Sequence, residues 1–147
     1  MVPQQTETRP LTRQDWFLLV ETTAWLLISR LAVLFLPFRW VMRTAGQQNT
    51  QSEDGVPAEK KEVVEKVTWA IDAVRWATPW DSNCLARSLA GKRLLRKRGM
   101  ASTLYLGVSK SDPSTLIAHA WLRCGQYFIT GEPGHEQFTV VATFAEQ

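Results

Sequence analysis

Apolar side chains dominate the first third of the chain after a polar segment of ten residues. The apolar run extends over residues 11–43, is interrupted by Glu21 and Arg30, and contains one helix-breaking residue, Pro37. This pattern predicts one long helix followed by a short helical continuation. Residues 44–58 are small and polar and include glycine and proline, which is typical of a linker.

The apolar stretch from Thr22 to Phe38 has nearly the length of a membrane-crossing helix. Arg30 lies near its middle, where a charge costs about 2.5–3.5 kcal/mol on insertion scales. We therefore expect a helix that is docked on protein or lies at a membrane interface, rather than one that spans a bilayer. The polar opening of the chain has no small-residue cleavage site, so we predict no signal peptide and expect a cytoplasmic location.

Two further helices are predicted in the middle of the chain. Apolar residues recur every three or four positions from Val63 onward, which indicates an amphipathic helix that ends before Pro79. Asp81 and Ser82 form a helix start signal for the next helix, and Gly99 is its candidate C-cap. Cys84 is thereby expected in the first turn of a helix.

The last part of the chain has the spacing of strands, in four segments: STLYLGV, LIAHAWLRC, QYFITG and QFTVVATF. A turn is predicted at SKSDPS, and a tight turn at Gly125. Helices followed by an antiparallel sheet define the α+β class. We predict an N-terminal helical appendage at residues 1–43, a linker at 44–58 and one domain at 59–147.

Composition narrows the class of protein further. The 147 residues suffice for one compact domain, and 45% hydrophobic residues exclude a disordered chain. Two cysteines, Cys84 and Cys124, are too few for a disulfide framework and indicate a reducing compartment. The cysteines and histidines lack the paired spacing of a zinc site, so neither a metal nor a cofactor is predicted. The net charge of +3 favours an acidic partner or an anionic membrane surface without requiring either.

Cys84 and His119 are the candidate catalytic residues. A thiol at a helix start lies near unpaired backbone N–H groups and the positive end of the helix dipole, which favour the nucleophilic thiolate and could stabilise an oxyanion. His119 lies in the strand AHAWL between two alanines, and a neutral imidazole can remove the thiol proton. From spacing alone, Cys84 could equally be a small buried hydrophobe and His119 a structural histidine.

A family resemblance favours the catalytic interpretation. The string PWDSNCLARSLAGKRLLRKRG, followed by LYLGV, AHAWL and FTVVATF, resembles the transglutaminase-like cysteine peptidases that remove leader peptides during lasso peptide biosynthesis. The resemblance covers about residues 62–145, and the helices around LLISRLAVLFLPFRW are similar to that family's N-terminal section. It implies a papain/transglutaminase-like core in which a helix presents Cys84, the nucleophile, against a sheet that presents His119, the base.

The sequence marks the carboxylate that would orient the imidazole less clearly than it marks Cys84 and His119. The resemblance implies an Asp on the strand after the histidine, but the segment QYFITGEP has no Asp, and Glu132 at its end is the nearest carboxylate. We predict Glu132 as the third catalytic residue. A surface glutamate in a turn is the alternative interpretation of Glu132, and Asp81 and Asp112 are rival carboxylates, with Asp81 better suited to a helix cap.

Three other features receive structural interpretations. The basic residues at 92–98 are predicted to form a solvated helix face that complements the helix dipole, and no nucleic-acid partner is predicted, since no aromatic nucleic-acid-binding motif accompanies them. Cys124 follows His119 by five residues, so it should face the opposite side of a regular strand and be structural. Trp80 could shape a cleft or pack against the helix.

The function implied by the resemblance is that of a stand-alone leader peptidase for a lasso peptide precursor. A separate leader-recognition protein is then an expected partner, since no such domain is visible in the 147 residues. The apolar residues 11–43 are a candidate surface for that protein, for the ring-closing synthetase, or for peripheral membrane contact. Two other functions remain open: acyl transfer to an amine by the same residues, and a non-catalytic binding or scaffold module.

Overall fold

The computed structural model describes residues 11–49, 51, 55–77, 84–112, 114–130 and 137–145. Within them, four α-helices and five strands follow one another along the chain. The helices are α1 (Arg13–Phe35), α2 (Phe38–Arg43), α3 (Lys61–Ala77) and α4 (Cys84–Lys97), and a 3₁₀ turn at Ala58–Lys60 leads into α3. The strands are β1 (Gln47–Gln48), β2 (Thr103–Asp112), β3 (Thr115–Cys124), β4 (Tyr127–Thr130) and β5 (Thr139–Ala145).

The N-terminal helices form as the apolar pattern predicts. Thr12 and Asp15 build a capping box, in which each side chain accepts a hydrogen bond from the other residue's backbone N–H. Helix α1 ends at Phe35 because Leu36, which precedes Pro37, is extended. Helix α2 is the short continuation, with Pro37 as its N-cap residue.

The C-terminal end of α4 also follows the sequence prediction. Gly99 has a φ of +74°, a left-handed conformation that glycine adopts without steric cost. The N–H of Met100 donates to the carbonyl of Leu95, which closes the last turn. Asp81 and Ser82, the predicted start signal of this helix, and Pro79 lie outside the described residues.

The five strands form one antiparallel sheet in the order β1-β5-β2-β3-β4. The four predicted strands are confirmed, and Gly125, with a φ of +57°, makes the tight turn between β3 and β4. Strand β2 extends to Asp112, so the turn before β3 is shorter than predicted. Strand β1 falls inside the predicted linker, where Gln47 pairs with Ala145 and Gln48 with Phe144.

Helices α3 and α4 cover one face of the sheet. On β3, Ala120, Leu122 and Cys124 belong to the main buried cluster together with residues of both helices. These helix residues include Val64, Val67, Ile71, Leu89, Leu94 and Leu95. Side chains alternate along a strand, so His119 projects from the opposite face of β3. The expectation that Cys124 and His119 face opposite sides is therefore confirmed.

Helix α1 is docked on the other helices by one stripe of its surface. Leu18 enters the main buried cluster, and Leu26 forms a second cluster with Val74 of α3 and with Ala86 and Ala90 of α4. By length and composition α1 could cross a membrane, but the structure packs it against protein along this stripe. Contacts therefore join the predicted appendage to the core, while the predicted domain boundaries stay predictions.

The basic residues at 92–98 form only part of the solvated face that the sequence predicts: Arg96 and Lys97 are exposed in the last turn of α4, and Lys92 is not. Lys92 is 3% exposed, and its Nζ donates to the carbonyl oxygen of Ser102 at 2.8 Å. Lys97 Nζ lies 3.2 Å from Oε1 of Glu21 on α1, and Arg98 Nη2 lies 3.0 Å from Oε2 of the same carboxylate. The prediction was wrong for Lys92 and Arg98, because their partners, the carbonyl of Ser102 and the carboxylate of Glu21, 77 positions before Arg98, lie outside this segment.

Candidate active site

Cys84 is the first described residue of α4 and is half-buried, with its side chain packed against the main buried cluster. It is a free thiol, as is Cys124. The first N–H groups of a helix have no partner within the helix, so this position offers donors to a nearby anion. Residues 78–83, which precede Cys84 and include Trp80, lie outside the described residues.

Three contacts fix the direction of α4 on the sheet. Ser88 Oγ and Thr130 Oγ1 are 2.7 Å apart, and Thr130 pairs with Leu122 of β3. One turn later, Gly91 lets the helix approach closely, since a Cβ there would lie 2.8 Å from Leu122 Cδ2. Lys92 then reaches Ser102, just before β2. Helix α4 therefore runs in the same direction as β3.

Cys84 and His119 lie toward the same end of the sheet. Cys84 precedes Ser88 by one helical turn, about 6 Å along the axis. His119 precedes Leu122 by three strand residues, about 10 Å. Because Ser88 contacts the residue that pairs with Leu122, both groups lie beyond that contact in the same direction. The imidazole projects from the face of β3 opposite the one that α4 covers.

Aromatic rings surround the imidazole of His119. Its ring centroid lies 4.9 Å from that of Phe138 and 5.8 Å from that of Trp121, with the latter pair stacked. Trp121, 3% exposed, is stacked in turn on Tyr105 with centroids 5.5 Å apart and planes at 8°. Stacked aromatic packing of this kind limits ring rotation and removes apolar area from water.

A buried arginine, Arg123, contacts Tyr105 at the end of this row of rings that lies away from His119. Arg123 Nε donates to the hydroxyl oxygen of Tyr105 at 2.8 Å, and Arg123 Nη1 donates to the carbonyl of Gly125 at 2.7 Å. The Tyr105 hydroxyl donates to Oε1 of Gln51 at 3.3 Å. The row thus runs from the imidazole to the segment after β1, and its order is fixed by hydrogen bonds as well as by stacking.

Gly107 is a residue of the site that sequence reasoning missed. It pairs with His119 across β2 and β3. A Cβ at position 107 would lie 2.7 Å from two ring atoms of Trp121 and 2.9 Å from Cβ of Phe138. A glycine within the strand-like segment LYLGV was the available signal, because glycine inside a strand often marks close approach of another group.

Of the three residues that could supply the orienting carboxylate, the structure describes only the backbone of Asp112. Glu132 and Asp81 lie outside the described residues. The backbone of Asp112 pairs with Thr115, four residues along β3 from His119, which is about 13 Å.

Among the described residues, no group of three or more His, Cys, Asp or Glu side chains is placed to hold a metal ion. What these residues offer chemically is a helix-start thiol and a strand imidazole at one end of an antiparallel sheet. That combination suits nucleophilic catalysis on an acyl group.

The chain belongs to the transglutaminase-like superfamily, whose family model matches residues 32–143. The matched span includes Cys84, His119 and most of the sheet. The superfamily includes cysteine peptidases and acyltransferases, and the mixture of helices with an antiparallel sheet is consistent with it. Searches among curated proteins and among solved structures find no significant match.

Proposed function

We propose that this protein is a cysteine peptidase in which Cys84 is the nucleophile and His119 is the general base and acid. The observation that carries the proposal is the placement of a helix-start thiol and a strand imidazole at the same end of the sheet in a transglutaminase-like domain. The rings packed around His119 restrict the imidazole to few orientations, which supports a role as an oriented base.

In the proposed reaction, His119 accepts the thiol proton and the sulfur of Cys84 attacks the carbonyl carbon of the scissile bond. The electron pair moves to the carbonyl oxygen, where backbone N–H groups at the start of α4 stabilise the oxyanion. Collapse breaks the C–N bond, and the imidazolium gives its proton to the leaving amine. Water then hydrolyses the thioester on Cys84, with His119 accepting a proton from the water.

For the orienting carboxylate we propose Glu132. Strand β4 ends at Thr130, which pairs with Leu122 three residues along β3 from His119. Strand β4 therefore points toward the end of the sheet that carries the imidazole, and Glu132 follows Thr130 by two positions in the sequence. A carboxylate in this role accepts a hydrogen bond from one ring nitrogen and fixes the tautomer that can take the thiol proton.

The proposed substrate is the precursor of a lasso peptide, cleaved between its leader and its core. Support comes from the resemblance of PWDSNCLARSLAGKRLLRKRG and AHAWL to the leader peptidases of that pathway. The leaving amine is then the N-terminus of the core peptide, and the leader is the acyl group held on Cys84. A separate leader-recognition protein delivers the precursor, and the ring-closing synthetase takes the released core.

The test is incubation of the full chain with the precursor peptide and the recognition protein, followed by mass spectrometry. We expect two fragments whose masses sum to that of the precursor plus one water. Cys84→Ala should lower the rate by about 10³-fold or more, whereas Cys124→Ala, the matched control, should retain cleavage. His119→Ala should behave like Cys84→Ala. Cleavage that survives in Cys84→Ala would overturn the assignment.

Product chemistry distinguishes the remaining functions. A leader joined to an added amine, with loss of ammonia or of the core peptide, indicates acyl transfer instead of hydrolysis. A cellular role that Cys84→Ala leaves intact indicates a non-catalytic scaffold. A neighbouring gene for a short precursor and one for an asparagine-synthetase-like protein would support the lasso peptide substrate, and their absence would count against it.

A further inference from the structure

Helix α1 exposes large apolar side chains along the surface opposite its docked stripe. Trp16, Phe17, Val20, Leu31 and Phe35 lie on this side, and Phe17 and Phe35 are each 77% exposed. In helical projection these positions centre about 180° from Leu18, Thr22 and Leu26, which face α3 and α4. The exposed surface continues into α2 through Phe38 and Trp40. We call this surface the outer apolar face of α1 and α2.

The charges around the outer apolar face have one sign. Residues 11–49 contain two acidic residues, Asp15 and Glu21. Asp15 is buried in the capping box, and Glu21 is paired with Lys97 and Arg98 of α4. The exposed charged residues of the segment are basic: Arg13, Arg39 and Arg43.

From this combination we propose that the outer apolar face docks on the surface of an anionic lipid bilayer, with α1 lying parallel to the membrane plane. An apolar helix surface with aromatic side chains near both ends suits the boundary between headgroups and acyl chains. Arg13, Arg39 and Arg43 would meet lipid phosphates, each contributing the attraction of a basic residue to an anionic leaflet. A second copy of the chain fits less well, since self-association would bring like-charged rims together.

The contacts on the other side of α1 favour a helix that docks on the bilayer surface over a helix that spans the bilayer. A membrane-spanning α1 would have to separate from α3 and α4, which exposes the Leu18 and Leu26 contacts. It would also place Glu21 and Arg30 in hydrocarbon without the partners that α4 gives Glu21. A helix that keeps its docked stripe and inserts only its outer face avoids both costs.

The test is flotation of the full chain with vesicles of phosphatidylcholine alone and of phosphatidylcholine mixed with phosphatidylglycerol. We expect binding to the mixed vesicles that weakens as salt is raised. The double variant Phe17→Ser/Phe35→Ser should lose roughly tenfold or more in partition coefficient for each phenylalanine. Arg39→Gln/Arg43→Gln should lose about fivefold per arginine on the mixed vesicles and little on neutral ones.

The matched control is Val140→Ser/Val141→Ser, which replaces exposed apolar residues on β5 and should leave binding unchanged. Equal loss in this control, or no loss in the phenylalanine variant, would overturn the proposal. So would resistance to alkaline carbonate extraction, which indicates a spanning helix. Dimerisation or capture of the leader-recognition protein through this face, without vesicle binding, would also overturn it. Cleavage of soluble precursor by the phenylalanine variant should be unaffected, which separates this proposal from the proposed function.

Discussion

The two cysteines occupy different surroundings although each is a free thiol. Cys84 is half-buried at the start of α4. Cys124 is 1% exposed within the main buried cluster, with its Sγ 3.5 Å from the carbonyl oxygen of Ala101. Access and the helix start thus distinguish a candidate nucleophile from a packing residue.

Selective alkylation is the first prediction at this scale. Iodoacetamide at neutral pH should modify Cys84 at least about tenfold faster than Cys124, because Cys84 is half-buried whereas Cys124 is 1% exposed. Peptide mapping by mass spectrometry measures the two rates. Prior addition of precursor peptide should slow modification of Cys84 alone. Faster labelling of Cys124 in the folded protein would contradict the assignment of the nucleophile.

Gly107→Ala is the second prediction. The added Cβ would lie 2.7 Å from the Trp121 ring and 2.9 Å from Cβ of Phe138, so the rings around His119 must move. We expect a loss of about 1–3 kcal/mol in the free energy of unfolding, measured in urea, and reduced peptide cleavage. The control is Gly55→Ala, because nothing lies within 4 Å of a Cβ at that position. Unchanged stability and activity in Gly107→Ala would show that the ring packing is looser than described.

At the scale of elements, one carboxylate joins α1 to the end of α4. Burial raises the pKa of Glu21, but hydrogen bonds and charge from Arg98 and Lys97 outweigh burial and hold this pKa below its usual range. Because the pKa of Glu21 is lowered in the folded state, its contact with Arg98 and Lys97 stabilises the fold at pH values above the unfolded-state pKa. The stabilisation is lost as pH falls through the folded-state pKa.

The third prediction concerns this pair. Glu21→Gln should lower the free energy of unfolding by about 1 kcal/mol at neutral pH, and by less in acid, where the native carboxylate is protonated. Urea unfolding at several pH values measures the difference. Glu62→Gln is the matched control, since the Glu62–Lys66 pair lies within α3 and is exposed. A pH-independent difference for Glu21→Gln would contradict the ionic contribution.

Elements with a regular apolar spacing could be predicted from the sequence, and elements without one could not. The helices follow from apolar residues that recur about every three to four positions. The four longer strands follow from apolar residues that recur every two positions. Strand β1 consists of Gln47 and Gln48, which have no pattern and pair only because β5 lies beside them. Likewise, burial of Lys92 depends on the carbonyl of Ser102, which its own segment does not reveal.

At the scale of the whole molecule, the sequence indicated candidate site residues and their elements but not their relation in space. The start of a helix at Cys84 and a strand at His119 follow from local signals, whereas their shared end of the sheet follows from the Ser88–Thr130 contact. The row of rings behind His119 requires the register that pairs Tyr105 with Trp121. Cross-strand register is set when the sheet assembles, so the spacing of residues along the chain does not reveal it.

The docking of α1 has a consequence for where the chain can be shortened. The superfamily match begins at residue 32, inside a helix that ends at Phe35. A gene fragment cut at that boundary would omit Leu18 and Leu26, leaving the Leu26 partners Val74, Ala86 and Ala90 facing water and a gap in the main buried cluster. We expect such a fragment to be recovered from inclusion bodies, whereas a fragment that begins at residue 11 should stay in the clarified lysate and show a cooperative melting transition. Family boundaries and folding boundaries therefore differ in this protein.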